Sequence, residues 1–197
     1  EYFEALGYMV SQPCKYHVMG RQKKYKEEID LIVMNPLIPE QRIPDTMLWT
    51  TNDLSSIARA VIGIYGWHTE RFYPSMLEHI PDIVRFTSRE SVRISGKLIG
   101  TGDAAKILCL PQLPATKKMR EKTLSILKQK GVDGVLLFPQ LLLELINRTA
   151  VNKNYEKSVL FQILRILKIY DLVKDRQLDL FPVKKPKRQV NSKPGIK

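Results

Sequence analysis

The sequence predicts an α/β protein, with a mixed central sheet, flanking helices and further helices toward its C-terminal end. Three observations predict it. Short apolar runs recur at 29–34, 60–67, 106–110 and 132–138, the first of them rich in β-branched residues. An amphipathic stretch at 115–130 separates the last two, and strand, helix, strand in that order implies a parallel pair with a right-handed crossover. Past Pro139, two stretches change from strand-like to helical spacing.

Residues 2–6 read as the end of a helix that Gly7 stops. Residues 8–19 alternate loosely as a first strand, and 20–24, with Lys23 and Lys24, form an exposed basic turn. Ile29, Ile32 and Val33 favour a second strand that Asn35-Pro36 ends. Pro36, Pro39 and Pro44 make 36–52 a loop, after which Asp53-Leu54-Ser55-Ser56 either caps a short helix or leads into the next strand. The buried strand 60–67 opens into His68-Thr69-Glu70-Arg71-Phe72, a segment dense in functional groups.

Residues 74–85 suit a helix interrupted by Pro81, and a less regular stretch follows with Gly96, Gly100 and Gly102 as turn points. The helix at 115–130 has Met119, Leu124 and Leu127 on its apolar side, a basic opposite side, and Gly131 at its end. After the strand 132–138, helices run from Pro139 to about Asn147 and over 155–172, the latter with apolar Val159, Ile163, Ile166 and Ile169. The chain thus divides into an α/β core at 1–140, a helical segment at 141–176 and a tail at 177–197.

Composition narrows the function classes. The chain of 197 residues is 44% apolar, enough for a packed core, and no run approaches membrane-spanning length. Its start, Glu1-Tyr2-Phe3-Glu4, lacks a basic-then-apolar signal and reads as mid-helix, as though the chain begins inside a longer protein. Cys14 and Cys109 have no third partner, which suggests reduced cytoplasmic thiols rather than a disulfide framework or zinc site. The net charge is +12; six cations, including Lys184, Lys185, Lys187 and Arg188, lie in the last fourteen residues, and the body before them is still +6. A basic body as well as a basic tail points to a polyanion, with nucleic acid first.

Glu4 on the first helix and Asp30 at the head of the second strand are the acids best placed for chemistry. A carboxylate entering a buried strand is costly unless paired, and a divalent metal is one partner; a surface salt bridge is the plain alternative. His68 and Glu70 are further candidates, or else a surface pair with Arg71. Tyr65 and Trp67 read as core aromatics before base-stacking platforms. Lys117, Lys118, Arg120 and Lys122 form either a solvated face or a phosphate-contacting stripe.

This order of elements, with Glu4 and Asp30 in place, resembles the PD-(D/E)XK nuclease superfamily, the restriction-endonuclease-like fold, over residues 1–140. The resemblance implies a helix Glu, a strand Asp and a Glu-x-Lys element holding Mg²⁺ or Mn²⁺ and a water for phosphodiester cleavage. Where Glu-x-Lys-Gly should stand, this chain has Gly63-Ile64-Tyr65-Gly66. Glu70, with His68 assisting, or Glu28 would then replace the missing acid, so that Glu4, Asp30 and Glu70 hold the metal.

The peptide Gln177-Leu178-Asp179-Leu180-Phe181 is similar to the short motif by which bacterial replication and repair proteins grip the sliding clamp. Gln177, Leu178, Leu180 and Phe181 are its anchors; the alternative is a helix end that packs back on the body. The expected protein binds DNA through Lys23, Lys24, Arg71, the 117–122 cluster and Lys184, Lys185, Lys187 and Arg188. It acts in DNA recombination, repair or mobile-element processing, either as a metal-dependent endonuclease or as a non-catalytic adaptor that recruits a partner. A rival reading is a degenerate nuclease fold used only for protein interaction, with no DNA role and its charge left to solubility.

Overall fold

The computed structural model describes residues 1–13, 29–66, 71–100 and 103–173. Lys23, Lys24, Glu28, Trp67, His68, Glu70, Cys14 and everything from Lys174 onward, the clamp-like peptide and basic tail included, lie outside the described residues. The described chain is α/β: five strands form one mixed sheet in the order β1-β2-β3-β4-β5, with helices on both faces. No described helix is long and apolar enough to cross a membrane.

Helix α1 (Tyr2–Ala5) ends at Gly7, whose φ of +87° is open to glycine at little cost. Strands β1 (Met9–Ser11), β2 (Leu31–Met34) and β3 (Arg59–Ile64) form an antiparallel meander, with Val33 facing Val10 on one side and Ala60 on the other. Strand β4 (Ala105–Leu110) runs parallel to β3, and β5 (Gly134–Leu137) parallel to β4. The parallel pair expected from strand, helix, strand is therefore present, joined by α5 (Lys117–Gln129).

Alternation along the strands divides the core in two. Val33, Ala60, Ile62, Ala105, Ile107, Cys109 and Leu136 face α1, the short helix α2 (Thr51–Leu54) and α6 (Phe138–Arg148). Ile32, Val61, Leu108, Leu110 and Val135 face α3 (Pro74–His79), the 3₁₀ turns Pro81–Thr87, α4 (Arg89–Ile99) and α5. On α5, Leu127 and Thr123 are fully buried and Met119 and Leu124 partly so, the apolar side read from the sequence.

Four details differ from the sequence reading. Residues 89–99 are helical: Ser88 accepts the Ser91 N–H at 3.1 Å as N-cap, Gly96 sits inside the helix, and Gly100, at φ +81°, is the stop. A lone glycine costs a helix only about 1 kcal/mol relative to Ala, which a good cap offsets. Asp53 lies inside α2, where its carboxylate takes the Thr50 N–H at 2.7 Å, so Thr50 is the cap. The proline-rich loop joins the sheet, because Trp49 N–H donates to Val135 and Val135 N–H to Met47, forming a parallel bridge at Leu48.

The fourth is α7 (Val159–Ile169), whose buried residues are Phe161 and Leu164, while Val159, Ile163, Ile166 and Ile169 are exposed. An 11-residue helix with apolar groups on two sides has no single amphipathic solution. Packing on Leu145, Tyr2 and Ala5 selects the Phe161 side.

Candidate functional site

A cleft of about 700 Å³ opens between α1, β1 and α6, with Glu4 on one wall, Phe138 and Leu141 on another, and Leu31, Ile64 and Cys109 as its floor. Glu4 is 59% exposed. Asp30 stands one residue ahead of β2, where its N–H donates to the Ile62 carbonyl at 3.0 Å. Its Oδ2 accepts the Ile64 N–H at 2.6 Å, which extends the β2–β3 pairing by one side-chain rung.

That position sets the acidity of two groups. Burial raises the Asp30 pKa, and the Ile64 N–H opposes the rise only in part. Burial also pushes the Cys109 thiol up to about 12, with the Asp30 charge adding to it. Cys109 is therefore a neutral thiol in the cleft floor near the Asp30 carboxylate, and no thiolate nucleophile at neutral pH.

The strand end that differs from the nuclease pattern is closed by aromatic rings. A Cβ on Gly63 would stand 2.5 Å from the Phe86 ring, and one on Gly66 would stand 3.0 Å from Phe138. Ile64 points into the cleft. Tyr65 is buried edge-on to Phe72 at 5.6 Å, the core role expected of it. Among the described residues no three His, Cys, Asp or Glu side chains come together as a metal site. Glu4 and Asp30 are the two described members of the expected ligand set.

Arg71 and the cations of 117–122 lie around the loop that leaves β4 at the end of the sheet that carries Asp30. Strands β3 and β4 run in register with Ile64 beside Cys109, so the loop 111–116 leaves the sheet next to the Asp30 rung. Arg71 donates to the Leu113 carbonyl of that loop at 3.3 Å, and Arg120 to the Pro114 and Ala115 carbonyls. Lys117, Lys118 and Lys122 are exposed on the first turns of α5, which the same loop leads into. The carboxyl ends of parallel strands are where open α/β sheets bind ligands.

Cys109, Phe138 and Ile64 were not read from the sequence as cleft residues. Each occupies an ordinary apolar position in its run; the β3–β4 register sets Ile64 beside Cys109, and the β4–β5 register brings in Phe138, which follows β5.

The raised pKa of Asp30 has a consequence for stability. A carboxyl that titrates higher in the fold than in the unfolded chain favours the folded state while protonated. That advantage disappears as pH rises from the ordinary carboxylate value through the folded one. Asp30→Asn keeps an oxygen for the Ile64 N–H and removes the charge. Its Tm should exceed that of wild type at pH 7, with the difference shrinking below the carboxylate range; an equal or lower Tm at pH 7 would refute the assignment.

The chain matches no protein-family model, no curated protein and no solved structure.

Proposed function

We propose that the protein binds DNA through a restriction-endonuclease-like core and acts in recombination, repair or mobile-element processing. The carrying observation is the element order: a helix bearing Glu4, an antiparallel meander with Asp30 at its second strand, then β4 parallel to β3. The +12 charge and the cations around the 111–116 loop support a phosphate backbone as ligand. Oxygen donors such as Glu4 and Asp30 suit Mg²⁺ or Mn²⁺, which in such a site polarises a phosphate and activates water. Gln177, Leu178, Leu180 and Phe181 would add a tether to a sliding clamp.

A specific observation favours the adaptor as second reading. Phe86 occupies the space that a side chain at Gly63, the acid position of the nuclease pattern, would need, and Tyr65, at the lysine position, is buried against Phe72.

Incubating duplex and branched DNA with the protein in Mg²⁺ or Mn²⁺ separates the two. If the cleft is catalytic, cleavage appears with metal and vanishes in Asp30→Ala. Cleavage that survives in Asp30→Ala or in chelator assigns the reaction elsewhere. Binding without cleavage under every metal condition favours the adaptor, and no binding at low salt sinks both.

A further inference from the structure

Helix α7 has an apolar face that the described fold leaves open. Val159 is 77% exposed, Ile163 49%, Ile166 42% and Tyr170 71%, while Phe161 and Leu164 on the other side are buried. The open positions advance by four, three and four residues, the spacing of a seam that packs against a second helix. The seam also ends cleanly. Asp171 takes a positive φ of 56°, and the Asp171 and Leu172 N–H groups return to the Lys168 and Leu167 carbonyls, a Schellman stop.

We infer that this seam joins two copies of the chain, α7 against α7, antiparallel about a two-fold axis. The spacing is symmetric about its own centre. An antiparallel approach sets Val159 opposite Tyr170 of the second copy and Ile163 opposite its Ile166, the self-complementary contact that a two-fold axis requires.

Charge agrees with that occupant. The two cations of the helix are drawn to its side, where Arg165 donates to the Val151 carbonyl at 2.9 Å and Lys168 to the Thr149 carbonyl at 2.7 Å. The seam between them is uncharged. Exposed Glu156 and Lys157 precede the helix and exposed Asp171 follows it, so an antiparallel pair brings Lys157 of each copy to the end that carries Asp171 of the other.

The area suits a reversible dimer. With Ile169 and Leu172, also about half exposed or more, six apolar side chains line the face. At ~100 Å² each they offer on the order of 600 Å² per copy. A standard interface uses ~800 Å² per partner, so a weak, concentration-dependent association is expected rather than an obligate dimer.

Sedimentation or light scattering of the full chain across a concentration series tests this, with Ile163→Glu and Ile166→Glu beside wild type. Both positions are solvent-exposed, so Tm should hold while self-association weakens by about tenfold or more. Mixing the Ile163→Glu/Ile166→Glu chain with an Ile163→Lys/Ile166→Lys chain should restore the dimer as a heterodimer. Three results overturn the inference: wild type monomeric at every concentration, a dimer indifferent to both single changes, or a dimer lost in Phe181→Ala but kept in Ile163→Glu.

Discussion

Gly134→Ala is expected to destabilise the protein by about 3 kcal/mol or more, within the upper range of overpacking costs. For a chain of this size, that lowers Tm by roughly 6–12 °C. A Cβ at position 134 would stand 2.2 Å from the Trp49 indole, and the backbone on both sides is committed. Gly134 is paired with Ile107 in the β4–β5 ladder, and Trp49 is fixed by its own N–H to Val135 and by an indole N–H donated to Thr46 at 2.7 Å. The ring is fully buried, so yielding means leaving the core. Exposing even about 150 Å² of it forfeits about 4 kcal/mol.

The companion variant is Trp49→Leu, which leaves a cavity and is itself costly, but removes the ring atoms that a methyl group at position 134 would strike. Chemical denaturation of the two single variants and the double should show the double less damaged than the sum, with about 1 kcal/mol or more of coupling. Strict additivity would mean that the ring is not what excludes a side chain at 134.

This pair also marks where the sequence stops being legible. The strands around Ile32, Val61, Leu108 and Val135 announce themselves because burial on both faces selects β-branched and apolar residues. The parallel β4–β5 pair follows from chain order, since a helix between two strands leaves room for little else. The joining of Leu48 to Val135 has no such local signal. Three prolines make 36–52 read as a loop, and the bridge depends on Trp49 finding a glycine 85 positions away in sequence number. The face used by α7 was illegible for a related reason: both sides are apolar, and only tertiary packing chooses between them.

The site was legible in part. Asp30 stood out as a charge entering an apolar strand, and the structure gives it a rung on the β3 end and a pKa shifted by burial. Glu4 reaches the cleft because Gly7 turns the chain straight from α1 into β1. The closing of Gly63 and Gly66 by Phe86 and Phe138 could not be read, because those rings come from elements 23 and 72 residues further along the chain.

On the proposed DNA-binding reading, replacing Lys117, Lys118, Arg120 and Lys122 together by Ala should make DNA binding weaker and less salt-dependent and leave the fold at least as stable. All four are exposed within the first six residues of α5, which has no acidic residue in its first turn. A helix N-terminus carries the positive end of the backbone dipole, so cations there are individually unfavourable. The ion pair of Lys117 with Glu121, at 3.9 Å, is on the surface and contributes little. Stability alone therefore gives no reason for such a cluster, whereas a phosphate backbone does. If each side chain neutralises one phosphate, the slope of log affinity against log salt should become shallower by about 3.6. The ratio of wild-type to variant affinity should then contract roughly 100-fold between about 50 and 200 mM salt. Fluorescence anisotropy on one duplex across that series measures both quantities, and a melting curve on the same samples checks the fold. An unchanged slope would take α5 out of the DNA interface. A marked fall in Tm would instead make the cluster structural, through the contacts of Arg120 with the 111–116 loop.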